Sequence, residues 1–418
     1  IRNYWNFQEL TTDEAIIAWN DATIKDFHWH TWTPSDGFIK ATFYRLAYQV
    51  TNCNEYLRQT TDEKLDSRGI TGAVRDDIKA YRAEARFLRA MSYWHIIDLF
   101  GAASLETENS STEFHLPDYA TREQLFAFVE QELTEMEADL LAPNSNEQFR
   151  VDKAAAWMLK AKLLMNAQVY VGVDRYADAM TYVNKVITET SYTLNPNYRN
   201  LFIADNDTNG AQNEFIFAVA FDGLNTKTYG GTTYLTHAPV GGSMSAADFG
   251  INGGWAGLRT TSAFVEKFDG MNSDTRRQFY TSGQTLEIAN VGTFTDGYAI
   301  SKWKNVDISG NQGSDLSGDF MADVAYDITQ IPEKDNQFDL IICYHILEHV
   351  IEDLKAMCEL YRVIKANGTV LIQTPFKEGE KVWATIRKEI GGKKIVAAPL
   401  KQMIYAFGIH SQIREAFN

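Results

Sequence analysis

The spacing of apolar residues predicts paired amphipathic helices over the first half of the chain. Residues 36–60 and 76–100 each carry apolar side chains at intervals of three and four. A second pair follows, in which a helix that opens at Thr121 leads to a helix over 153–170, and a third element covers 176–189. Pairs that repeat at about 34 residues and carry small residues on one face are typical of tetratricopeptide-like stacking.

Two other regions lack this periodicity. Residues 1–35 are polar and aromatic, with four tryptophans before a closing proline, and predict an ordered surface loop region. Residues 190–320 are rich in Asn, Gly, Thr and aromatics. Only residues 214–221 predict a strand there, and the rest predicts irregular structure. Long aromatic-bearing loops on a rigid scaffold are where binding residues commonly lie.

The pattern changes again near Met321, without an intervening linker. Residues 326–375 predict a strand, a helix and a second strand. Such an α/β unit does not normally share one core with stacked helices. We therefore expect a mainly α protein: a tetratricopeptide-like helical-repeat scaffold with long irregular loops over 1–320. A partial α/β unit, Rossmann-like in style, is expected over 321–380, and residues 381–418 form an unassigned basic tail.

Composition excludes several classes of protein. With 418 residues, 45% of them apolar, the chain can bury a large core. A formal net charge of −16 opposes binding to phosphate backbones, so we expect no nucleic-acid partner. Cys53, Cys343 and Cys358 are too far apart for a zinc ribbon or a disulfide framework. No apolar run approaches the roughly 20 residues of a membrane-spanning helix.

Four segments of the first part, residues 3–16, 83–101, 197–223 and 297–305, resemble the SusD/RagB family. The resemblance implies a surface-exposed protein of the bacterial outer membrane that binds an oligosaccharide or related nutrient without catalysis and without a cofactor. It also implies delivery of that ligand to a TonB-dependent outer-membrane transporter. Membrane attachment would come only through a lipid anchor, and the anchor's cysteine is not part of this chain.

Residues 338–375 resemble the second half of a class I S-adenosylmethionine-dependent methyltransferase, and the likeness extends over 322–379. In that family an acidic residue contacts the adenine, and Asp327 occupies the matching place. The family also needs a glycine-rich turn after its first strand, and none precedes Tyr326. We therefore expect Asp327 to be vestigial and no methyl transfer. The alternatives are a methyltransferase with an atypical upstream segment, or a composite chain with no single function.

Sugar rings are recognised by flat aromatic faces, and their hydroxyls by amides and carboxylates. Loop residues of these types are the candidate ligand contacts, although each could instead pack against the scaffold. They are Trp19, Asn20, Trp29, Trp32, Asp36, Tyr229, Tyr234 and Trp255.

Two motifs suggest metal sites, and both are incomplete. His28 and His30 form an H-x-H pair without a third ligand at useful spacing. Residues 205–210 begin like a calcium-binding loop, but Ile216 stands where the closing glutamate is needed. We expect neither zinc nor calcium.

Overall fold

The computed structural model describes residues 1–113, 115–223, 230–313, 338–344, 362, 364–373, 386–390 and 393–397. They fall in two compact units, Ile1–Phe320 and Met321–Asn418. Two of the candidate residues, Tyr229 and Asp327, lie outside the described residues.

Helices dominate the first unit. In chain order they are α1 (Arg2–Glu9), α2 (Ala22–Trp29), α3 (Gly37–Gln59), α4 (Asp62–Ser67), α5 (Ala73–Leu99), α6 (Arg122–Glu135), α7 (Lys153–Met165), α8 (Ala167–Val171), α9 (Tyr176–Glu189), α10 (Thr232–His237) and α11 (Ser262–Val265).

The paired helices predicted from periodicity are confirmed, and local chemistry sets their ends. Thr121 caps α6 in a capping box: its hydroxyl accepts from the Gln124 amide, and the Gln124 side chain accepts from the Thr121 amide. The helix predicted over 153–170 is divided at Asn166 into α7 and α8. There the Asn166 side chain donates to the carbonyl of Lys162, 2.9 Å away, and so competes with the helical ladder.

The scaffold encloses one large apolar core. Helix α3 packs on α5, α5 on α6, and α7 on α9. Small residues of α7, including Ala155 and Ala156, are buried in this core and let the helices approach closely. A buried ion pair also links two of the helices, because Arg89 of α5 donates to Glu132 of α6 at 2.7 Å.

The opening segment differs from its prediction as a loop region. Residues 1–35 form α1, the short strand β1 (Ala15–Ile17) and α2. Their apolar side chains, among them Leu10, Ile24 and Phe27, join a second cluster together with residues around position 234. The order of this segment therefore comes from burial against distant residues, which local periodicity does not reveal.

The strand predicted over 214–221 is absent from the structure of that segment. Its backbone has turns and unpaired extended residues instead of a ladder. Ile216 and Phe217 pack against the helical core, so the apolar pattern is satisfied by side-chain packing and not by strand pairing.

A small antiparallel sheet connects the start of the first unit to its later loops. The order is β1, β4 (Leu258–Thr260), β6 (Tyr298–Ile300) and β5 (Phe279–Tyr280). In its register Ala15 faces Thr260, and Thr260 faces Tyr298. A two-stranded sheet pairs β2 (Ala103–Ser104) with β3 (Tyr119–Ala120).

The described part of the second unit is a four-stranded sheet. Its order is β7 (Phe338–Tyr344), β8 (Ile364–Gln373), β10 (Lys393–Ala397) and β9 (Ile386–Ile390). β7 and β8 run parallel, as expected for a strand, helix, strand unit, and β10 is parallel to β8. β9 and β10 belong to the predicted basic tail, so these strands extend the α/β sheet.

None of the helices in the described part of the chain has the length and apolar character needed to cross a membrane.

Candidate functional site

The candidate aromatic residues divide into a group packed within the protein and an exposed group. Tyr234 is the most buried, at 0% exposure. Its hydroxyl donates to the side-chain oxygen of Asn6, 2.7 Å away, and its ring packs edge-on against Trp5 and Trp19, at centroid distances of 5.9 and 6.3 Å. This phenol has no surface on which a ligand could rest.

Trp19 also faces inward. Its indole Nε1–H donates to the backbone oxygen of Trp255 at 2.9 Å. The backbone of Gly257 lies so close that a Cβ there would stand 2.4 Å from the Trp19 ring, which requires glycine at this position. Trp255 is half-buried and stacks on the ring of His237 at 5.1 Å with a tilt of 34°. Both indoles are thus committed to contacts within the protein.

The exposed group lies at the end of α2 and consists of Trp29, His30 and Trp32, which we call the aromatic ledge. Trp29 is 63% exposed and Trp32 is 44% exposed. His30 ends α2 in the left-handed conformation, with φ of 56°, so the chain turns sharply between the two indoles. The His30 and Trp32 rings are 5.5 Å apart.

Contacts beneath the ledge fix its geometry. The Trp32 ring packs against the buried ring of Phe27 at 6.3 Å. One ring nitrogen of His30 lies 3.0 Å from the backbone oxygen of Thr11. The hydroxyl of Thr31 donates to Asp26 at 2.8 Å. Trp32 and His30 are therefore held by a buried ring and by a hydrogen bond, whereas the Trp29 indole extends from the end of α2 with its face open to solvent.

The polar candidates are placed less favourably than the indoles. Asp36 caps α3, because its carboxylate accepts from the amides of Phe38 and Ile39 at 2.8 and 3.0 Å. Asn20 precedes α2, whereas Trp29 ends it, so the eight residues of the helix separate the two by about 12 Å. The Asn20 side chain accepts from Lys25. Asn20 therefore lies near the start of α2, away from the ledge at its end.

Two titratable groups next to this region are shifted by burial. Burial, followed by the charge of Arg259, lowers the pKa of His28 to about 4. The neutral ring fits its contact, since Nε2 accepts from the Ile17 amide at 3.3 Å. Burial, followed by a hydrogen bond with Glu14, raises the pKa of Glu9 to about 7.

The metal motifs have other partners in the structure. The ring of His28 accepts a hydrogen bond from the Ile17 amide. His30 lies on the ledge, and the sequence analysis did not include it among the candidate ligand contacts. In the calcium-like segment the Asn209 side chain donates to Asp205 and to the backbone of Asn200. Over the described residues, no group of three metal-binding side chains occurs.

Similarity to known proteins agrees with this architecture. The chain is 38% identical over 269 residues to the starch-binding protein SusD of Bacteroides thetaiotaomicron. Most of the chain is homologous to SusD. The match covers 64% of this chain and 46% of that protein, so the chain spans less than half the length of the curated relatives that it matches.

Solved structures share the SusD-like fold. A SusD superfamily protein from Parabacteroides distasonis is 22% identical, with a TM-score of 0.54, over 73% of this chain and 64% of its own. A structure solved with xylogluco-oligosaccharide is 17% identical, with a TM-score of 0.55, over 75% of this chain and 64% of its own. The tetratricopeptide-like fold expected for the first unit is thereby confirmed.

A second likeness concerns the end of the chain. The family model described as a methyltransferase domain matches residues 291–372. Its first part falls on residues of the SusD-like unit, where β6 pairs antiparallel with β4 and with β5. The match confirms the resemblance seen in the sequence, and it begins about 30 residues earlier than the resemblance predicted.

Proposed function

We propose that this protein binds an oligosaccharide non-covalently, without catalysis, on the aromatic ledge. The observation that carries the proposal is the exposure of two neighbouring indoles, Trp29 at 63% and Trp32 at 44%, at the end of α2. Large aromatic faces in water are unfavourable unless a ligand or partner covers them. The C–H faces of sugar rings suit this surface, and the similarity to a starch-binding protein supports the same class of ligand.

The binding mode follows from the geometry. The indoles supply apolar stacking area, while His30 and the Thr31 hydroxyl supply polar groups at the same edge. Stacking tolerates many sugars, so the ledge sets the ligand class and neighbouring polar contacts select among its members. The net charge of −16 disfavours strongly anionic polysaccharides and favours neutral ones.

Calorimetric titration with two neutral probes, maltoheptaose and a xylogluco-oligosaccharide, tests this function. We expect heat of binding with a dissociation constant in the micromolar to millimolar range for at least one of them, because a few stacking contacts give modest affinity. Sialic-acid oligomers serve as the anionic control and should bind more weakly. No heat with either neutral probe would overturn the proposal.

We further propose that the bound sugar is delivered to a TonB-dependent transporter at the surface of the outer membrane, where a lipid anchor would hold the protein. The SusD homology supports this part of the proposal. Affinity purification from outer membranes solubilised in mild detergent provides the test. Recovery of the protein without any transporter, under conditions that preserve other outer-membrane complexes, would contradict it.

A second candidate function is S-adenosylmethionine-dependent methyl transfer, which the family match over residues 291–372 favours. The position of β6 argues against it. A methyltransferase needs a parallel strand followed by a glycine-rich turn at the start of the matched region, and β6 lies there in an antiparallel sheet. We expect no heat of binding on titration with S-adenosylmethionine. Binding at micromolar concentration would support the methyltransferase function and would count against a composite chain with no single function.

A further inference from the structure

A cavity of about 300 Å³ lies on the helical side of the first unit, between the loop that precedes α7 and two later segments. We call it the polar cleft. Its walls come from residues 144–152, 191–192 and 212–218. It shares no residue with the aromatic ledge, and its apolar neighbours belong to the helical core instead of the cluster beneath the ledge.

A buried carboxylate holds the walls of the cleft together. Asp152 is 2% exposed, and one of its oxygens accepts from the Asn144 amide at 2.8 Å and from the Tyr192 hydroxyl at 2.9 Å. Its other oxygen accepts from Ala155 at 3.1 Å. The Asn144 side chain in turn accepts from the Ser191 amide at 2.9 Å. The cleft is therefore preformed, and Asp152 has little capacity left for a ligand.

Phe149 gives the cleft an exposed aromatic wall. Its φ of 68° lies in the left-handed region, which is rare and strained for a bulky side chain. The ring is 38% exposed, and across the described ranges it makes no ring–ring contact. Ring stacking within the described residues thus does not account for the strained conformation. Phe215, half-buried, also lines the cleft.

The polar groups that face the cleft are mainly neutral. Four amide side chains line it, and all but the first also hydrogen-bond within the protein: Asn213, Gln212, Gln148 and Asn146. Within residues 1–113, 115–223 and 230–313, the side chain of Asn213 makes no hydrogen bond. The charge of Arg150 is already neutralised, because its guanidinium donates to both oxygens of Glu84 at 2.6 and 2.7 Å, outside the cleft lining.

We propose that the polar cleft is a second sugar-binding site, for about one or two residues of a neutral glycan, separate from the aromatic ledge. An apolar ligand would leave the side-chain amide of Asn213 without a partner, which is unfavourable. An anion would meet Glu147 and Asp152 without a free cation. A neutral sugar presents hydroxyls for the amides and a C–H face for Phe149. The inference rests on the proposed function, since both sites bind glycan.

The experiment uses the whole chain and maltoheptaose, with the xylogluco-oligosaccharide in parallel. The cleft variant combines Phe149→Gly with Asn213→Ala. Glycine adopts the φ of position 149 without strain, so the loop keeps its path while the ring is lost. The ledge variant combines Trp29→Ala with Trp32→Ala. Tyr44→Ala, which removes a ring that is 66% exposed on α3, is the matched control.

Calorimetry then counts the sites. We expect two sites in the unaltered protein and in the control, and one site in each of the ledge and cleft variants. Combining all four substitutions should abolish binding in a protein whose circular dichroism is unchanged. A single site that the cleft variant retains with unchanged affinity would overturn the second site while leaving the proposed function intact. Loss of binding in the cleft variant alone, with the ledge variant unaffected, would support the cleft and refute the ledge.

Discussion

Substitutions at exposed and buried members of the candidate set should separate ligand binding from folding. Trp29→Ala and Trp32→Ala remove rings that are 63% and 44% exposed. Tyr234→Phe removes a hydroxyl in the core, at 0% exposure, that donates to Asn6. If the ledge holds the sugar, the first two changes weaken binding, and the third weakens only the folded state.

The structure sets the expected magnitudes. An aromatic face stacked on a ligand contributes about 1 kcal/mol, roughly a fivefold change in dissociation constant. Loss of both indoles should therefore raise the dissociation constant of the ledge for maltoheptaose about thirtyfold. Because Trp29 is 63% exposed, its removal costs at most about 2 kcal/mol of unfolding free energy. Tyr234→Phe leaves the oxygen of Asn6 without its donor and costs about 1–3 kcal/mol.

Two measurements on the same preparations decide the outcome: calorimetric titration for the dissociation constant, and urea unfolding followed by circular dichroism for the unfolding free energy. We expect Tyr234→Phe to shift the unfolding midpoint with the affinity unchanged. A folded variant without both ledge indoles that keeps the number of sites and the affinity of the unaltered protein for every neutral probe would refute the assignment of the ledge.

Three further substitutions test the scaffold and the segment beneath the ledge. Arg89→Met should cost about 1–3 kcal/mol in urea unfolding, because it removes a buried guanidinium that pairs with Glu132, while Arg86 still donates to that carboxylate; an unfolding midpoint equal to that of the unaltered protein would contradict this. The raised pKa of Glu9, about 7, disfavours its ionised form in the folded protein. The free energy of unfolding should therefore fall as pH rises from about 5 to 8, by roughly 1 kcal/mol after solvent screening. Glu9→Gln should remove this pH dependence. The same pH dependence in the variant would contradict the raised pKa of Glu9. Gly257→Ala places a Cβ against Trp19 and should lower the free energy of unfolding by about 1–3 kcal/mol. The melting temperature should fall, and the near-ultraviolet circular dichroism should change. A melting curve that matches the unaltered protein would show that the Trp19 ring can move away from position 257.

The helical scaffold could be predicted from the sequence because its signals are local. Apolar periodicity and capping residues lie within each helix, and the third predicted element coincides with α9 over Tyr176–Glu189. The division at Asn166 was not predictable from periodicity, since the apolar pattern continues through it.

The opening segment and the candidate site depend on distant residues, which explains what sequence reasoning missed. Trp19 and Trp29 are the same residue type in the same segment, yet one is packed against Gly257 and the other is open to solvent. Aromatic composition identifies both as candidates and cannot distinguish them. The polar cleft escaped prediction for the same reason, because three separated segments form its walls.

The bonds that fasten the opening segment also impose an order of events on biosynthesis. The hydrogen bond between Tyr234 and Asn6 spans 228 positions, and that between Trp19 and Trp255 spans 236. A growing polypeptide can assemble the α3, α5, α6 and α7 pairs from neighbouring contacts while its first thirty or so residues still lack their partners. The cluster beneath α2 is thus completed only when residues near positions 234 and 258 are available, so the helical framework can form before the support of the aromatic ledge.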